Sequence, residues 1–190
     1  MELLNKIILE EAEILPGDVI KVDSFLNHQI NVGLISECGK VWYEKFKDQG
    51  ITKILTIESS GIAIATLTAQ YFGVPVVYAK KTKSATIGDD FYDTKVVSYT
   101  HSQAFEVVVS KKFITSEDRV LIIDDFLANG SAIKGLITLA EMGGAKVVGA
   151  GVVMEKEYEN GGKDIRSLGY KIESLAKIKC VKDKKIIFSE

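Results

Sequence analysis

Val120-Leu-Ile-Ile-Asp-Asp-Phe-Leu-Ala-Asn-Gly-Ser-Ala132 is the stretch on which the fold turns. It opens with Arg119–Asp124, a nearly continuous apolar run without the polar alternation of a half-exposed strand, as expected for a parallel strand covered on both faces. Asp124 and Asp125 follow at its carboxyl end, and Ala128-Asn129-Gly130-Ser131-Ala132 makes a small polar turn into a helix predicted over Ser131–Met142. A strand over Lys146–Met154 completes a βαβ unit. Upstream the pattern repeats: strand Lys53–Ile57, the turn Glu58-Ser59-Ser60-Gly61, helix Ile62–Phe72, a stop at Gly73-Val74-Pro75, and strand Val76–Ala79. Two such units imply an α/β fold with a mainly parallel sheet flanked by helices and right-handed crossovers.

The remaining segments are arranged around these units. Apolar residues recur at helical spacing over Met1–Leu15 until Pro16-Gly17-Asp18, and a short β-like run, Val19–Val22, follows. Asn31 is placed to cap a second helix carrying Val32, Ile35, Val41, Trp42 and Phe46, with Gly50 just beyond it. Lys80–Asp93 is polar, holds Lys80, Lys81 and Lys83, and reads as a mobile loop. Lys95–Thr100 and Phe105–Ser110 read as antiparallel strands, and Tyr170–Ile178 and Lys185–Phe188 as shorter strands of the tail, set off by Gly161-Gly162 and Lys182–Lys184. With no internal repeat, low-complexity stretch or linker, residues 1–190 are expected to form a single domain.

Composition narrows the function. Lys and Arg number 24 against 26 Asp and Glu, a net charge of −2, so no basic field invites nucleic acid. Glu2, Glu10, Glu11 and Glu13 interrupt the apolar residues of the amino terminus, unlike a signal peptide, and no apolar run has the roughly 18 residues a bilayer crossing needs. Cys38 and Cys180 are far apart in sequence and fall in no metal or redox motif, which points to a reducing, cytoplasmic setting. His28 and His101 have no His or Cys nearby, so no metal cluster is expected.

The Asp124–Ala132 segment carries the chemistry. Ligands of an open parallel sheet collect at the carboxyl ends of its strands, and a helix start offers unpaired N–H groups to an anion. Gly130 permits close approach or a positive φ, and Asn129 and Ser131 are small polar donors. A phosphate fits there, but two carboxylates beside it need hydroxyl donors or a divalent cation, and a ribose 2′,3′-diol supplies the hydroxyls. That combination describes a 5′-phosphorylated ribose. An acidic pair after a strand, taken alone, is more often a solvated strand end with ordinary turn chemistry behind it.

The whole segment resembles the phosphoribosyl-pyrophosphate (PRPP) signature of the type I phosphoribosyltransferases. That family usually has Thr where Asn129 stands, and often where Ala132 stands. Both departures are shared by the branch acting on xanthine, which Lys21-Val-Asp-Ser-Phe-Leu-Asn-His-Gln29, Ile51–Ala63 and Asp124–Gly130 also resemble, so that the likeness spans essentially the whole chain.

The resemblance implies the family's α/β fold, with a small hood drawn from about residues 1–30 and 155–190 over the base. It implies transfer of the 5-phosphoribosyl group of PRPP to xanthine in purine salvage, by a homodimer using Mg²⁺ carried by PRPP without a protein metal site. The catalytic residues would be Asp124 and Asp125, and the PRPP-binding residues Ala128, Asn129, Gly130, Ser131, Ala132, Ser59, Ser60, Gly61 and Lys81. Ser59–Gly61 corresponds to the family's pyrophosphate loop, often built with a non-proline cis peptide, and Lys80–Asp93 to its lid. Ile20, Asn27 and Lys156 would bind the base: an ammonium at a strand's carboxyl end suits the exocyclic oxygen of a 6-oxopurine and not the amino group of adenine. From the residues alone, Ile20 and Phe126 read as core and Asn27 as a turn residue. Hypoxanthine or guanine as substrate, or a non-catalytic PRPP-binding regulator, remain alternatives.

Overall fold

The computed structural model describes residues 1–81, 90–97 and 104–189. In chain order the first elements are α1 (Glu2–Glu11), β1 (Glu13–Leu15), β2 (Val19–Lys21), α2 (Val32–Phe46), β3 (Lys53–Ile57), α3 (Ser60–Phe72) and β4 (Val76–Ala79). After them come β5 (Phe91–Val97), β6 (Ala104–Ser110), β7 (Arg119–Leu127), α4 (Ser131–Met142), β8 (Lys146–Lys156), α5 (Gly161–Ser167), β9 (Ile172–Lys182) and β10 (Lys185–Phe188). The main sheet runs β10-β9-β8-β7-β3-β4. All its neighbours are parallel except β10, which returns antiparallel beside β9.

Its central strand explains the two-sided burial. Leu121 and Ile123 of β7 pack into a core formed with Ile35, Trp42 and Phe46 of α2 and Ile64 of α3, while Val120 and Ile122 enter a second core with Ile133, Leu136 and Ala140 of α4. Trp42 crosses from helix to sheet, fully buried, and its indole N–H donates to the Glu173 carbonyl at 3.0 Å. The β5–β6 hairpin covers α4, with Val96, Val107 and Val109 in that second core. Asn31 caps α2 by accepting from the Leu34 N–H at 3.1 Å, and Gly50 follows the helix in the left-handed region at φ 62°. No helix of the described residues is long and apolar enough to cross a membrane.

Several expectations are corrected. The first helix ends at Glu11, because Pro16 disfavours helical backbone before it and Glu13–Leu15 instead pair with Val19–Lys21. β5 starts at Phe91, inside the segment expected to be loop, where Phe91 and Tyr92 find partners in Ser110 and Val109. Residues 82–89, the bulk of that expected lid, lie outside the described residues, as do 98–103 with His101. β7 does not stop before the acidic pair: it continues to Leu127, held by pairing of Phe126 with Met154 and Leu127 with Glu155. Gly161-Gly162 is not a spacer but the first turn of α5. From Ile172 on, the tail lies in the main sheet, anchored by Leu175, Ala176 and Ile178 in the first core.

Gly151 in β8 lies directly beneath Trp42: a Cβ there would stand 2.7 Å from the indole nitrogen and 2.8 Å from Ile123 Cδ1. Gly151→Ala should therefore overpack the layer and lower unfolding stability by about 1–3 kcal/mol, as measured by denaturant titration followed through Trp42 fluorescence.

Candidate active site

The carboxyl ends of β7 and β8, the amino-terminal hairpin and the start of α4 enclose a cavity of about 310 Å³. Its wall includes Asp125, Phe126, every residue of Ala128–Ala132, and Ile20, Asn27 and Lys156. Residues separated by more than a hundred positions in sequence thus face one space. Ile20 is both things its sequence allowed, a buried core residue and part of the wall. Asn27 ends a π-helical turn over Asp23–Asn27, the kind of local irregularity that often serves function, and its amide donates to Asp125 Oδ2 at 3.3 Å.

The turn into α4 is shaped for close approach. Asn129 accepts from the Ser131 N–H at 2.9 Å, and Gly130 sits at φ 80°, a backbone most side chains disfavour. A Cβ on Gly130 would also press on Ile165 Cδ1 at 3.0 Å.

The two aspartates are not equivalent. Asp125 is half-buried and lines the cavity. Asp124 is 3% exposed and lies beneath it, accepting the Asp125 N–H at 3.0 Å. Burial, and then the neighbouring Asp125 charge, push the Asp124 carboxyl well above the ordinary carboxylate range. Against it stands Gly61: a Cβ there would be 3.1 Å from Asp124 Oδ1 and 2.0 Å from Thr56 Oγ1, so only glycine lets the start of α3 come this close. The peptide bond joining Glu58 to Ser59 is cis. Ser59, Ser60 and Gly61 are not among the residues lining the cavity, and of the three it is Gly61 that packs against Asp124.

Lys81 lies at the end of the segment following β4. Its backbone N–H donates to Glu58 Oε1 at 2.6 Å, its ammonium is 5.3 Å from the Phe105 ring centre, and its charge acts on Asp124. Lys156 is only 5% exposed, and burial lowers its pKa while Glu159 and Asp18 oppose the shift. Its ammonium stands 5.9 Å from the Tyr158 ring centre. Among the described residues no group of three His, Cys, Asp or Glu side chains could hold a metal ion.

Residues 23–180 match the sequence pattern of the family described as phosphoribosyl transferase domain. The chain belongs to the phosphoribosyltransferase family. Its relatives include the xanthine phosphoribosyltransferase of Clostridium novyi, 51% identical with 99% of each chain covered, and that of Listeria innocua, 50% identical over 100% of this chain and 99% of the other. Among solved structures, adenine phosphoribosyltransferase from Rhodothermus marinus superposes with a TM-score of 0.74 at 21% identity, covering 94% of this chain and 100% of the other. The Saccharomyces cerevisiae adenine phosphoribosyltransferase superposes at 0.73 and 18% identity, over 92% and 99%. At such identities these structures establish the phosphoribosyltransferase fold, a mostly parallel sheet flanked by helices.

Sequence reasoning missed two contributors. Thr56, fully buried with no hydrogen-bond partner for its hydroxyl among the described residues, and Gly161, packed on the turn before α4, are separated from the motif residues and resemble ordinary strand and spacer positions. The run Asn160-Gly161-Gly162 was the one available signal, since adjacent glycines often mark close backbone approach.

The raised Asp124 pKa has a signed consequence. Below its ordinary value near 3.8 the carboxyl is protonated in both folded and unfolded chains. As pH rises above that value, the unfolded chain ionises first and the folded state loses stability until the folded pKa is passed. Asp124→Asn keeps the acceptor for the Asp125 N–H without this penalty. It should match wild type in acid and become progressively more stable than wild type as pH rises, in denaturant titrations across that range. A constant offset at all pH values would show that Asp124 is not the group responsible.

Proposed function

We propose that the chain transfers the 5-phosphoribosyl group of PRPP to xanthine, giving xanthosine 5′-monophosphate (XMP) and pyrophosphate. The observation that carries the reading is the single cavity shared by the Ala128–Ala132 turn and by Ile20, Asn27 and Lys156. A phosphate at one end and a purine at the other is what a nucleotide requires. The xanthine phosphoribosyltransferases of Clostridium novyi and Listeria innocua, about half identical along the full chain, support the choice of base.

In this reading the backbone N–H groups of Ala128–Ala132 hold the 5′-phosphate and Asp125 orients the ribose hydroxyls. Asp124, beneath, fixes the Ser59–Gly61 turn whose N–H groups face the departing pyrophosphate, with Lys81 as a cation beside it. The bond from C1′ to pyrophosphate breaks with its electron pair leaving on oxygen, a purine nitrogen donates its pair to C1′ from the opposite side, and the imidazole N–H proton of the base passes to solvent. The Asp125 carboxylate stabilises the positive charge developing on the ribose, and most of the acceleration comes from positioning and fixed charge. Mg²⁺, when bound, neutralises charge on the pyrophosphate. Mg²⁺ commonly takes one or two protein carboxylates and several phosphate oxygens, and Asp125 is the carboxylate of the cavity wall that would hold it.

Base selection rests on Lys156 and Asn27. An ammonium can only donate, so Lys156 favours oxo over amino substituents, whereas the Asn27 amide, anchored on Asp125, offers a polar group to the C2 side. The amino-terminal hood, from residues 1–30, closes over the base with Ile20 packed on its face, whereas the segment after β8 lies behind the phosphate-facing turn and in the main sheet. Two free thiols and no close cysteine pair support a reducing, cytoplasmic setting, and the homodimer expected of the family completes the reading.

Incubating the protein with PRPP, Mg²⁺ and an equimolar mixture of five nucleobases, and identifying the nucleotides by mass, tests this directly. XMP should dominate, guanine and hypoxanthine should react less, and adenine should be inert. Predominant formation of another nucleotide would overturn the base assignment, and the absence of any nucleotide would favour a PRPP-binding regulator. Lys156→Met should lower kcat/KM for every 6-oxopurine by roughly 10- to 150-fold, the worth of about 1.5–3 kcal/mol for a charged hydrogen bond. Asp125→Asn should reduce kcat by a similar factor without unfolding the chain.

A further inference from the structure

The turn that faces the proposed 5′-phosphate does not stand alone. Behind it, Gly161 opens α5 with its N–H donating to the Ala128 carbonyl at 3.1 Å. The contact is so close that a Cβ on Gly161 would lie 2.2 Å from the Ala128 oxygen, 2.4 Å from the Gly130 nitrogen and 2.5 Å from the Asn129 carbonyl carbon. From the other side, a Cβ on Gly130 would lie 3.3 Å from both Cα and the carbonyl oxygen of Gly161. The two backbones interlock, and neither tolerates a side chain.

The next residue makes a second close contact. A Cβ on Gly162 would be 1.8 Å from Glu155 Oε1 and 2.7 Å from Arg166 Nη1. Glu155, 1% exposed, receives both Arg166 amino groups at 2.6 Å and the Ser174 hydroxyl. Burial acts to raise the Glu155 carboxyl, yet the Arg166 guanidinium and Ser174 outweigh it and hold it below its ordinary value. Glu155 immediately precedes Lys156, so α5 touches the supports of both halves of the cavity.

We infer that Gly161 is a positioning residue for the phosphate-facing turn, and that α5, pinned by the Glu155–Arg166 pair, is the rigid part against which Ala128–Gly130 is set. The inference rests on the proposed function for what the turn binds. Ile165 belongs to the same contact, its Cδ1 lying against Gly130. A residue that only supported the fold would alter stability without distinguishing one substrate from the other, whereas a support beneath the phosphate end should act on PRPP.

The test uses the full chain with both substrates, varying PRPP at saturating xanthine and the reverse, and titrates ribose 5-phosphate by calorimetry as a probe of the phosphate end. Gly161→Ala should raise the KM for PRPP and the Kd for ribose 5-phosphate by about tenfold or more, with the KM for xanthine changed by less than about threefold. Ile165→Val, which removes only Cδ1, should shift the same two constants in the same direction by about twofold or more while melting near wild type. PRPP and ribose 5-phosphate constants unchanged in a folded Gly161→Ala protein, or PRPP and xanthine KM rising equally, would overturn the inference. Should Gly161→Ala fail to fold, Ile165→Val decides, and unchanged PRPP and ribose 5-phosphate constants would overturn it. Failure of wild type to bind ribose 5-phosphate would instead overturn the functional reading on which it rests.

Discussion

The parallel seating of β7 between β3 and β8 is the constraint from which the site follows. Because Val120–Ile123 are buried on both faces, the strand's register is fixed by two separate cores, and its carboxyl end cannot shift without opening both. Near that end, before the last pairs of β7, Asp124 and Asp125 stand where α3, α4 and the amino-terminal hairpin meet. The candidate site sits beyond the carboxyl ends of the strands, at the mouths of the βα turns.

Electrostatics divide the acidic pair into a buried member and an exposed one. Asp124 gives up solvation, which together with the Asp125 charge raises its pKa, and it packs close to Gly61. Asp125 keeps access to the cavity and is held by the Asn27 amide. Lys156, buried at the other wall, has its pKa lowered by burial against the opposing charges of Glu159 and Asp18.

Much of this was legible in the sequence. Elements built from long local patterns, β3, α3, β4 and α4, fall at their predicted bounds to within two residues. The errors have physical causes. Glu13–Leu15 continues a helical spacing but is claimed by pairing with Val19–Lys21, a partner that periodicity does not reveal. Phe91 and Tyr92 lie within a polar segment, and only the facing strand makes them β. The site was readable where a motif is contiguous, as in Ala128–Ala132, and Ile20, Asn27 and Lys156 were named through resemblance. What local pattern could not show is that Asp124 and Asp125 differ, since burial depends on Gly61 more than sixty positions away, or that Gly161 backs the turn, since its partner contacts are backbone atoms.

The central claim is that one cavity holds phosphate on the Ala128–Ala132 amides and purine beside Lys156. A crystal structure with xanthosine 5′-monophosphate tests it most directly. The 5′-phosphate is expected within hydrogen-bond distance of that turn, the ribose hydroxyls on Asp125, and an exocyclic oxygen of the base facing the Lys156 ammonium. A nucleotide bound with its phosphate on Ser59–Gly61, or with its base away from Ile20, Asn27 and Lys156, would contradict it.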